Sequence, residues 1–406
     1  MQPFNPEQSL VEIRREFGEF GDVNPSVSRS STFTVMDPDT MPQLFKGIKG
    51  PETGGYYLYG RHGNPTVRVL ARYLAAMEGT EAALCTASGM SAISCALTQS
   101  CKIGEHIVAS NTTYGGTYAL LKELFPEMGI TATFVDPADL SAVAAAVTDK
   151  TRVIYVETIG NPTLKIANIP ALSTLARQKG LTLMVDNTFS PMIVSPARLG
   201  ADVVVYSLSK FINGASDTIS GAICANKAFV DKLLDLHTGR AMLLGPTMDP
   251  RVAFDLIQRL PYLGLRMREH GRRALAISSR LADLGAQVCY PGLPSHPQHP
   301  IFQSMMNDGY GYGGMLTIDC KTQEKAHELM GVLQNQERFG LIAVSLGYYD
   351  TLMSCSGSST SSEVSPENQQ AMGLSAGLLR ISMGITGSLE SRLAQISRAI
   401  TTVGLV

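Results

Sequence analysis

Lys210 stands in Ser-Leu-Ser-Lys-Phe (207–211), directly after the apolar run Asp-Val-Val-Val-Tyr (202–206). A short β-branched run that ends in hydroxyl residues and a lysine reads as a buried strand with an amine at its carboxyl end. Desolvation there lowers the amine pKa and favours attack on a carbonyl, while Ser207 and Ser209 offer hydroxyls to an anion. The plainer reading is a strand-end lysine with its ammonium in water. Upstream, the apolar run 181–185 ends in Asp186-Asn187-Thr188. Its carboxylate is either a turn former or a second group aimed at the same ligand.

Taken together, an aldehyde-capturing lysine and a carboxylate that keeps a ring nitrogen protonated are what pyridoxal 5'-phosphate (PLP) requires. Other segments suit such a ligand. Thr86-Ala-Ser-Gly-Met-Ser-Ala (86–92) joins a strand to a helix, where the N–H groups of Gly89 and Met90 form an anion site or simply follow a serine cap. Tyr59 and Arg61, in a loop-rich stretch, offer a phenol and a phosphate-matching guanidinium, or an ordinary surface arginine. Tyr114, in Thr-Thr-Tyr-Gly-Gly, is a ring-stacking candidate as well as a core aromatic. Glu157 and Asn161 flank Thr-Ile-Gly after another apolar run, a place for an amide donor beside a ligand oxygen, or for a turn. Arg380, in the apolar Leu-Leu-Arg-Ile-Ser, needs an anion, and an amino-acid carboxylate is a natural partner that Ser345 helps hold. Gly309-Tyr-Gly-Tyr-Gly-Gly precedes a strand instead of following one, so it is no nucleotide fingerprint.

These residues need a scaffold. Strands are predicted at 82–85, 106–109, 131–135, 153–156, 181–185, 203–206 and 219–225, interleaved with helices at 67–77, 90–99, 140–147 and 169–179. Apolar runs without alternation, separated by helices, predict an α/β fold with a mostly parallel sheet between helices; its ligand lies off the carboxyl ends of the strands. A helical segment over 250–284, broken near Pro261, leads to a smaller C-terminal α+β domain with strands at 314–319 and 342–344, a helix at 323–334 and a last helix after Ser388. The expected division is an N-terminal arm (1–65) with one charged helix around 10–17, a large domain (66–262) and a small domain (263–406). The stretch 354–370 is Ser-rich and reads equally as a surface linker or a functional loop.

Composition bounds the partners. With 406 residues, 44% apolar and 17% charged, the chain is globular, and a net charge of −2 without basic blocks argues against nucleic acid. No apolar run approaches a membrane span, and the polar N-terminus lacks a leader-like core. Seven scattered cysteines read as reduced thiols of a cytosolic protein. His296 and His299 form the one tight histidine pair, in a Pro-rich loop without other ligands, so no metal is expected.

The ordered series YGRHGNPT, TASGMSA, YVETIGNPT, VDNTF, SLSKF, VSLG and GLLRISMG resembles the Cys/Met-metabolism family of PLP enzymes. Within it, EFGE, TFTVMDPDTMP, LLGPTM, YPGLPSHPQH and SLGYYDTLMSCSGSSTSSE are most similar to the plant-type methionine γ-lyases and their bacterial relatives. The resemblance implies an aspartate-aminotransferase-like, fold-type I PLP enzyme. Lys210 would carry the cofactor and shuttle protons, Asp186 would pair with the pyridine nitrogen, and Tyr114 would stack on the ring and assist elimination. Gly89, Met90, Ser207 and Ser209 would bind phosphate, joined by Tyr59 and Arg61 of a neighbouring subunit; Asn161, Ser345 and Arg380 would hold the substrate. It further implies a homo-oligomer, a tetramer built as a dimer of dimers, and α,γ-elimination on L-methionine, with γ-replacement on an O-acylhomoserine or lysis of cystathionine as alternatives. Two departures from the family pattern lie beside the substrate: Gly115-Gly116 where many of these lyases have a cysteine, and the Ser-rich segment from 354. Val344 stands where cystathionine-handling relatives tend to have glutamate, which suits an uncharged thioether.

Overall fold

The computed structural model describes residues 4–13, 21–53, 56–356 and 374–406. Seven strands form the larger sheet: β1 (Ala82–Thr86), β2 (His106–Ser110), β3 (Thr131–Val135), β4 (Thr151–Glu157), β5 (Thr182–Asp186), β6 (Val203–Ser207) and β7 (Gly221–Ala225). Their spatial order is β1-β7-β6-β5-β4-β2-β3. Pairing is parallel from β6 through to β3, and β7 runs antiparallel to both its neighbours, β1 and β6. β1 and β6 therefore point the same way, and Thr86, Ser110, Glu157, Asp186 and Ser207 end on one edge of the sheet.

Burial explains why these strands show no alternation. Ile154, Val156, Leu183, Val185, Val204 and Tyr206 enter one apolar core, whereas Val153, Tyr155, Met184, Val203 and Val205 enter another on the opposite face. Both faces are covered, so both parities must be apolar. The period of two then carries Glu157, Asp186 and Ser207 onto the face of Tyr155, Met184 and Val205. The helix Gly89–Ser100 packs on that face through Ala92, Ile93 and Ala96. The side-chain parity of three strands thus puts three polar termini on the face that this helix covers, with Ser207 against its first residue.

Five strands form the second sheet, β8 (Val288–Cys289), β9 (Met315–Asp319), β10 (Leu341–Ile342), β11 (Leu352–Cys355) and β12 (Leu378–Ser382), in the order β10-β11-β12-β9-β8. Only β10 pairs in parallel; the other contacts are antiparallel. The segment between the two sheets is helical over Pro250–Arg259 and Leu263–Asp283, with one tight turn at Leu260–Tyr262 where Pro261 interrupts the ladder.

Several expectations need correction. The first helix spans Pro6–Ile13, not 10–17; of the expected span, residues 14–17 lie outside the described residues. It packs on its own chain, with Leu10 in the core and Glu7 paired to Arg268 at 2.8 Å, so this part of the arm does have a core to join. Residues 115–127 form a helix that glycine and proline in Gly-Gly-Thr-Tyr and Phe-Pro-Glu concealed. Ser354 and Cys355 lie in β11, buried, and do not begin a linker; from 357 to 370 the Ser-rich stretch lies outside the described residues.

Gly221 fixes how β7 meets the helix start. It pairs with Thr86 on one side and Ser207 on the other, and a Cβ there would stand 2.2 Å from the Ser88 carbonyl oxygen. Gly221→Ala is expected to cost about 1–3 kcal/mol through overpacking, read as a lower urea midpoint. Gly331→Ala, in a helix with open space around it, should be neutral or gain up to about 1 kcal/mol.

Candidate active site

After β6 the chain turns tightly at Lys210. Gly214 N–H donates to the Lys210 carbonyl at 2.8 Å, and the buried guanidinium of Arg266 donates to the carbonyls of Phe211 and Ile212 at 2.5 and 2.8 Å. From the other side Gly347 presses on the same turn. A Cβ there would lie 2.4 Å from the Phe211 nitrogen, and its φ of +75° already favours glycine. The loop that brings Gly347 also brings Ser345, whose φ of +93° is a strained value for a non-glycine residue. Ser345 Oγ accepts from Lys210 Nζ at 2.7 Å. Burial, aided by the nearby Arg380 cation, lowers the Lys210 pKa from 10.5 to about 8. The amine is held and partly neutral near pH 8, as a carbonyl-capturing nucleophile requires.

Asp186 ends the neighbouring strand β5. Its Oδ1 accepts from Thr188 N at 2.9 Å and from Thr188 Oγ1 at 2.5 Å, and its Oδ2 accepts from Tyr155 Oη at 3.4 Å. Thr188 Oγ1 in turn accepts from Ser207 N at 2.9 Å. One hydroxyl therefore ties the acid to the strand that carries the lysine. Burial raises the Asp186 pKa, opposed by the Thr188 and Tyr155 hydrogen bonds. Glu157 lies opposite Asp186 in the β4–β5 register, also buried, and its pKa rises well above the ordinary range through burial and then the Asp186 charge. Neither acid has an ion-pair partner among the described residues. A cationic ring N–H is the kind of group that would relieve Asp186.

The turn between β1 and the helix Gly89–Ser100 supplies anion donors. Ser88 and Ser91 close a reciprocal capping box, which leaves the N–H groups of Gly89 and Met90 without a protein acceptor among the described residues. A Cβ on Gly89 would lie 2.8 Å from Ser207 Cβ, so the turn and Ser207 are in direct contact. Ser209 is close by in sequence, but its hydroxyl is engaged with the Ser220 backbone, accepting from N at 2.9 Å and donating to O at 3.3 Å. Tyr59 and Arg61 are not brought to this cradle by any hydrogen bond among the described residues. Arg61 donates instead to the Met242 carbonyl at 2.9 Å, with its guanidinium over the Tyr59 ring.

Arg380 occupies the middle of the second sheet, only 3% exposed, between Ser354 and Thr317 in register. It donates to Asn161 Oδ1 at 2.9 Å and to the Ser345 carbonyl at 3.0 Å. No carboxylate pairs with it among the described residues, and burial lowers its pKa to about 10. A buried cation satisfied only by neutral oxygens is a site for an anion. Tyr114 is half exposed, its N–H donating to Glu157 Oε1 at 2.5 Å. A Cβ on Gly116 would stand 2.6 Å from the Tyr114 ring and 3.2 Å from Met90 Sδ, so the ring lies over that glycine. Val344, 66% exposed, precedes Ser345. The structure thus joins Lys210, Ser345, Arg380, Asn161, Glu157 and Tyr114 in one chain of contacts, and Asp186 with Ser207 and the Gly89 turn in another. Sequence reasoning missed Thr188, Tyr155 and Ser354. Thr188 could have been found from the hydroxyl two residues past a strand-end carboxylate. Ser354, whose buried Oγ lacks a partner among the described residues, was hidden in a Ser-rich run.

His296 Nε2 lies 3.1 Å from the Leu164 carbonyl, and His299 Nδ1 lies 2.8 Å from that of Pro291. Among the described residues no helix is long and apolar enough to cross a membrane.

A desolvated lysine, a cation-seeking buried acid, a glycine-lined helix start and an arginine with no acidic partner among the described residues fit PLP and an amino acid, and with this sheet they define a fold-type I PLP enzyme. The chain belongs to the Cys/Met metabolism PLP-dependent enzyme family, which matches residues 8–395. It is 55% identical over 397 residues to methionine γ-lyase of Arabidopsis thaliana, covering 97% of this chain and 90% of that one. It is 36% identical to an L-methionine γ-lyase of Fusobacterium nucleatum subsp. polymorphum, covering 95% of each. A Campylobacter jejuni protein assigned as an O-acetylhomoserine (thiol)-lyase, solved with a pyridoxyl-lysine phosphate group, superposes with a TM-score of 0.89 at 26% identity, covering 98% of this chain and all of that one.

The depressed Lys210 pKa has a testable sign. Below about pH 8 the folded lysine is charged and bears its full burial penalty; between about 8 and 10.5 the unfolded chain binds the extra proton, so stability rises with pH. In cofactor-free protein, Lys210→Met should be the more stable variant at pH 7, and its advantage should shrink by about 3 kcal/mol by pH 10.5. Urea midpoints across that range measure it.

Proposed function

We propose that this chain is a PLP-dependent carbon–sulfur lyase acting on L-methionine, which with water gives methanethiol, 2-oxobutanoate and ammonia. The observation that carries the reading is Arg380, a buried guanidinium without an acid among the described residues, tied through the Ser345 backbone to the loop whose hydroxyl holds Lys210. An α-carboxylate on Arg380 places an amino acid's α-carbon toward the Lys210 amine. The methionine γ-lyases among its relatives support the same substrate.

Bound PLP supplies an electron sink for the bonds at the substrate's α and β carbons. In this reading Asp186, steered by Thr188, holds the ring nitrogen, while Gly89, Met90, Ser207 and Ser209 receive the phosphate. Asn161 donates to a ring or substrate oxygen while its own oxygen orients Arg380. Lys210 Nζ takes the α-proton and moves protons at the neighbouring carbon, near enough to neutral at about pH 8 to act as a base. Tyr114 faces the ring and delivers a proton to the leaving sulfur. Val344 gives the side-chain end an apolar wall that suits a methylthio group and would leave the distal ammonium of cystathionine unpaired.

Tyr59 and Arg61 serve a neighbouring subunit's phosphate in this reading. The exposed Met36, Phe45, Ile48, Leu243 and Leu244 support a covered surface, hence a homotetramer built as a dimer of dimers. The same reading keeps an arm at 1–65, a cofactor domain at 66–262 and a small domain at 263–406, the two sheets falling within the last two. Seven cysteines that form no disulfide among the described residues suit a cytoplasmic setting. The second reading, γ-replacement on an O-acylhomoserine, draws on the likeness to the C. jejuni protein.

Steady-state assays separate the readings. Methionine should yield 2-oxobutanoate with a kcat/KM above those for cystathionine and O-acetylhomoserine; no keto acid from methionine, with sulfide-dependent turnover of O-acetylhomoserine, would favour replacement. Arg380→Ala should raise KM for methionine about a hundredfold, the scale of a buried charge-assisted pair, with the cofactor's absorbance unchanged.

A further inference from the structure

Glu157 is a buried acid for which the chemistry above has no use. It closes β4, and its two oxygens face two different loops. Oε1 accepts the N–H of Tyr114 at 2.5 Å, and Oε2 accepts the N–H of Asn161 at 3.0 Å. The two loops are also pressed together. Gly160 leaves no room for a side chain, because a Cβ there would lie 2.5 Å from Thr112 Oγ1 and 2.9 Å from the Thr112 carbonyl oxygen.

We propose that Glu157 is a positioning residue, whose carboxylate staples the backbone of Tyr114 to that of Asn161 and so makes the ring-facing phenol and the arginine-orienting amide one rigid unit. The inference rests on the PLP lyase reading and deepens it. Its first support is stoichiometric. Two N–H donors arriving from two loops need two acceptor atoms on one side chain, which the two carboxyl oxygens supply. These same two hydrogen bonds favour the ionised form, which has no competing donor, against the burial and the Asp186 charge that push its pKa up. Its second support is energetic. The side chain is 6% exposed, takes part in no ion pair among the described residues, and sits opposite the like-charged Asp186. An acid so placed is unfavourable by itself, and a filler of the same volume would have done the packing more cheaply. The titratable groups that bear on it are Asp186 on β5 and Tyr155, two residues earlier on β4. Its third support is connectivity. From Asn161 the contacts continue to Arg380, to the Ser345 carbonyl, and through the Ser345 hydroxyl to Lys210. Displacing Glu157 therefore shifts both the proposed proton donor and the carboxylate clamp, without touching either substrate or lysine directly.

Glu157→Gln tests this in the holoenzyme. The amide keeps the volume but offers one acceptor, so one staple is lost and an N–H faces an N–H. The expected result is a kcat lower by about tenfold to a hundredfold, the scale of one buried charge-assisted hydrogen bond, with KM for methionine raised as the clamp shifts but by less than in Arg380→Ala. The cofactor's visible absorbance should shift, and cofactor should be lost more readily through a dilution series. The apparent melting temperature should stay close to that of the parent. A variant with parent kcat, parent spectrum and parent cofactor retention overturns the proposal, as does one whose losses appear only alongside a large drop in melting temperature. If Glu157→Gln gives no folded protein, Gly160→Ala tests the same coupling by prying the loops apart. It should reproduce the fall in kcat and the spectral shift, and their absence overturns the proposal. Spectrum and cofactor retention do not depend on which amino acid is the substrate, so a failed methionine assay would sink the substrate reading while leaving Glu157 to be decided on its own.

Discussion

Uncompensated charge at the carboxyl edge of the sheet is the constraint around which this molecule is organised. Asp186 and Glu157 lie buried side by side on paired strands, while the half-buried Lys210 and the buried Arg380 have hydroxyl, amide and carbonyl partners and no acid among the described residues. The protein does not let these opposite charges neutralise one another. No ion pair joins the two sides among the described residues, and each side is suited to a ligand group of the opposite sign, a protonated ring nitrogen for Asp186 and a carboxylate for the arginine. The ground state without ligand is therefore poorer in electrostatic energy than it needs to be for folding alone.

Holding such groups apart requires stiffness, and the stiffness comes from backbone more than from side-chain packing. Thr188 ties the acid to the lysine's strand with one hydroxyl. Gly221, Gly89 and Gly347 let main chain approach main chain at distances no Cβ allows, which brings the anion cradle, Ser207 and the lysine turn into register. Arg266 then fastens the carbonyls that follow Lys210 to the long helix leading into the second sheet. The same helix segment carries Arg268, which holds Glu7 of the N-terminal helix. Arm, lysine turn and second sheet thus share one mechanical element.

Much of this was legible in the chain. The β-branched runs were read as a parallel sheet because apolar residues of both parities can be buried only when both faces are covered, and the strands fell within a residue or two of their predicted places. The lysine and the aspartate were legible because each follows such a run directly. Elements whose signals conflict were not. The 115–127 helix contains glycine and proline, and β11 begins a Ser-rich stretch, so local propensity pointed away from the structure adopted. Thr188, Tyr155 and Ser354 were passed over because their importance lies in a neighbour on another strand.

The sequence by itself determined the order of strands and helices, the residue types at the strand ends and the family to which the chain belongs, since these depend on periodicity and on motifs read locally. Only the tertiary structure decided which of those residues meet. Arg380 and Lys210 are 170 positions apart by number, yet the Ser345 loop joins them. Glu157 and Tyr114 sit on different strand ends, yet share a hydrogen bond. The physical reason is that a hydrogen bond or a desolvation energy is set by distance and exclusion of water. Those quantities are fixed only when two sheets, one helix start and a strained serine turn have packed against one another.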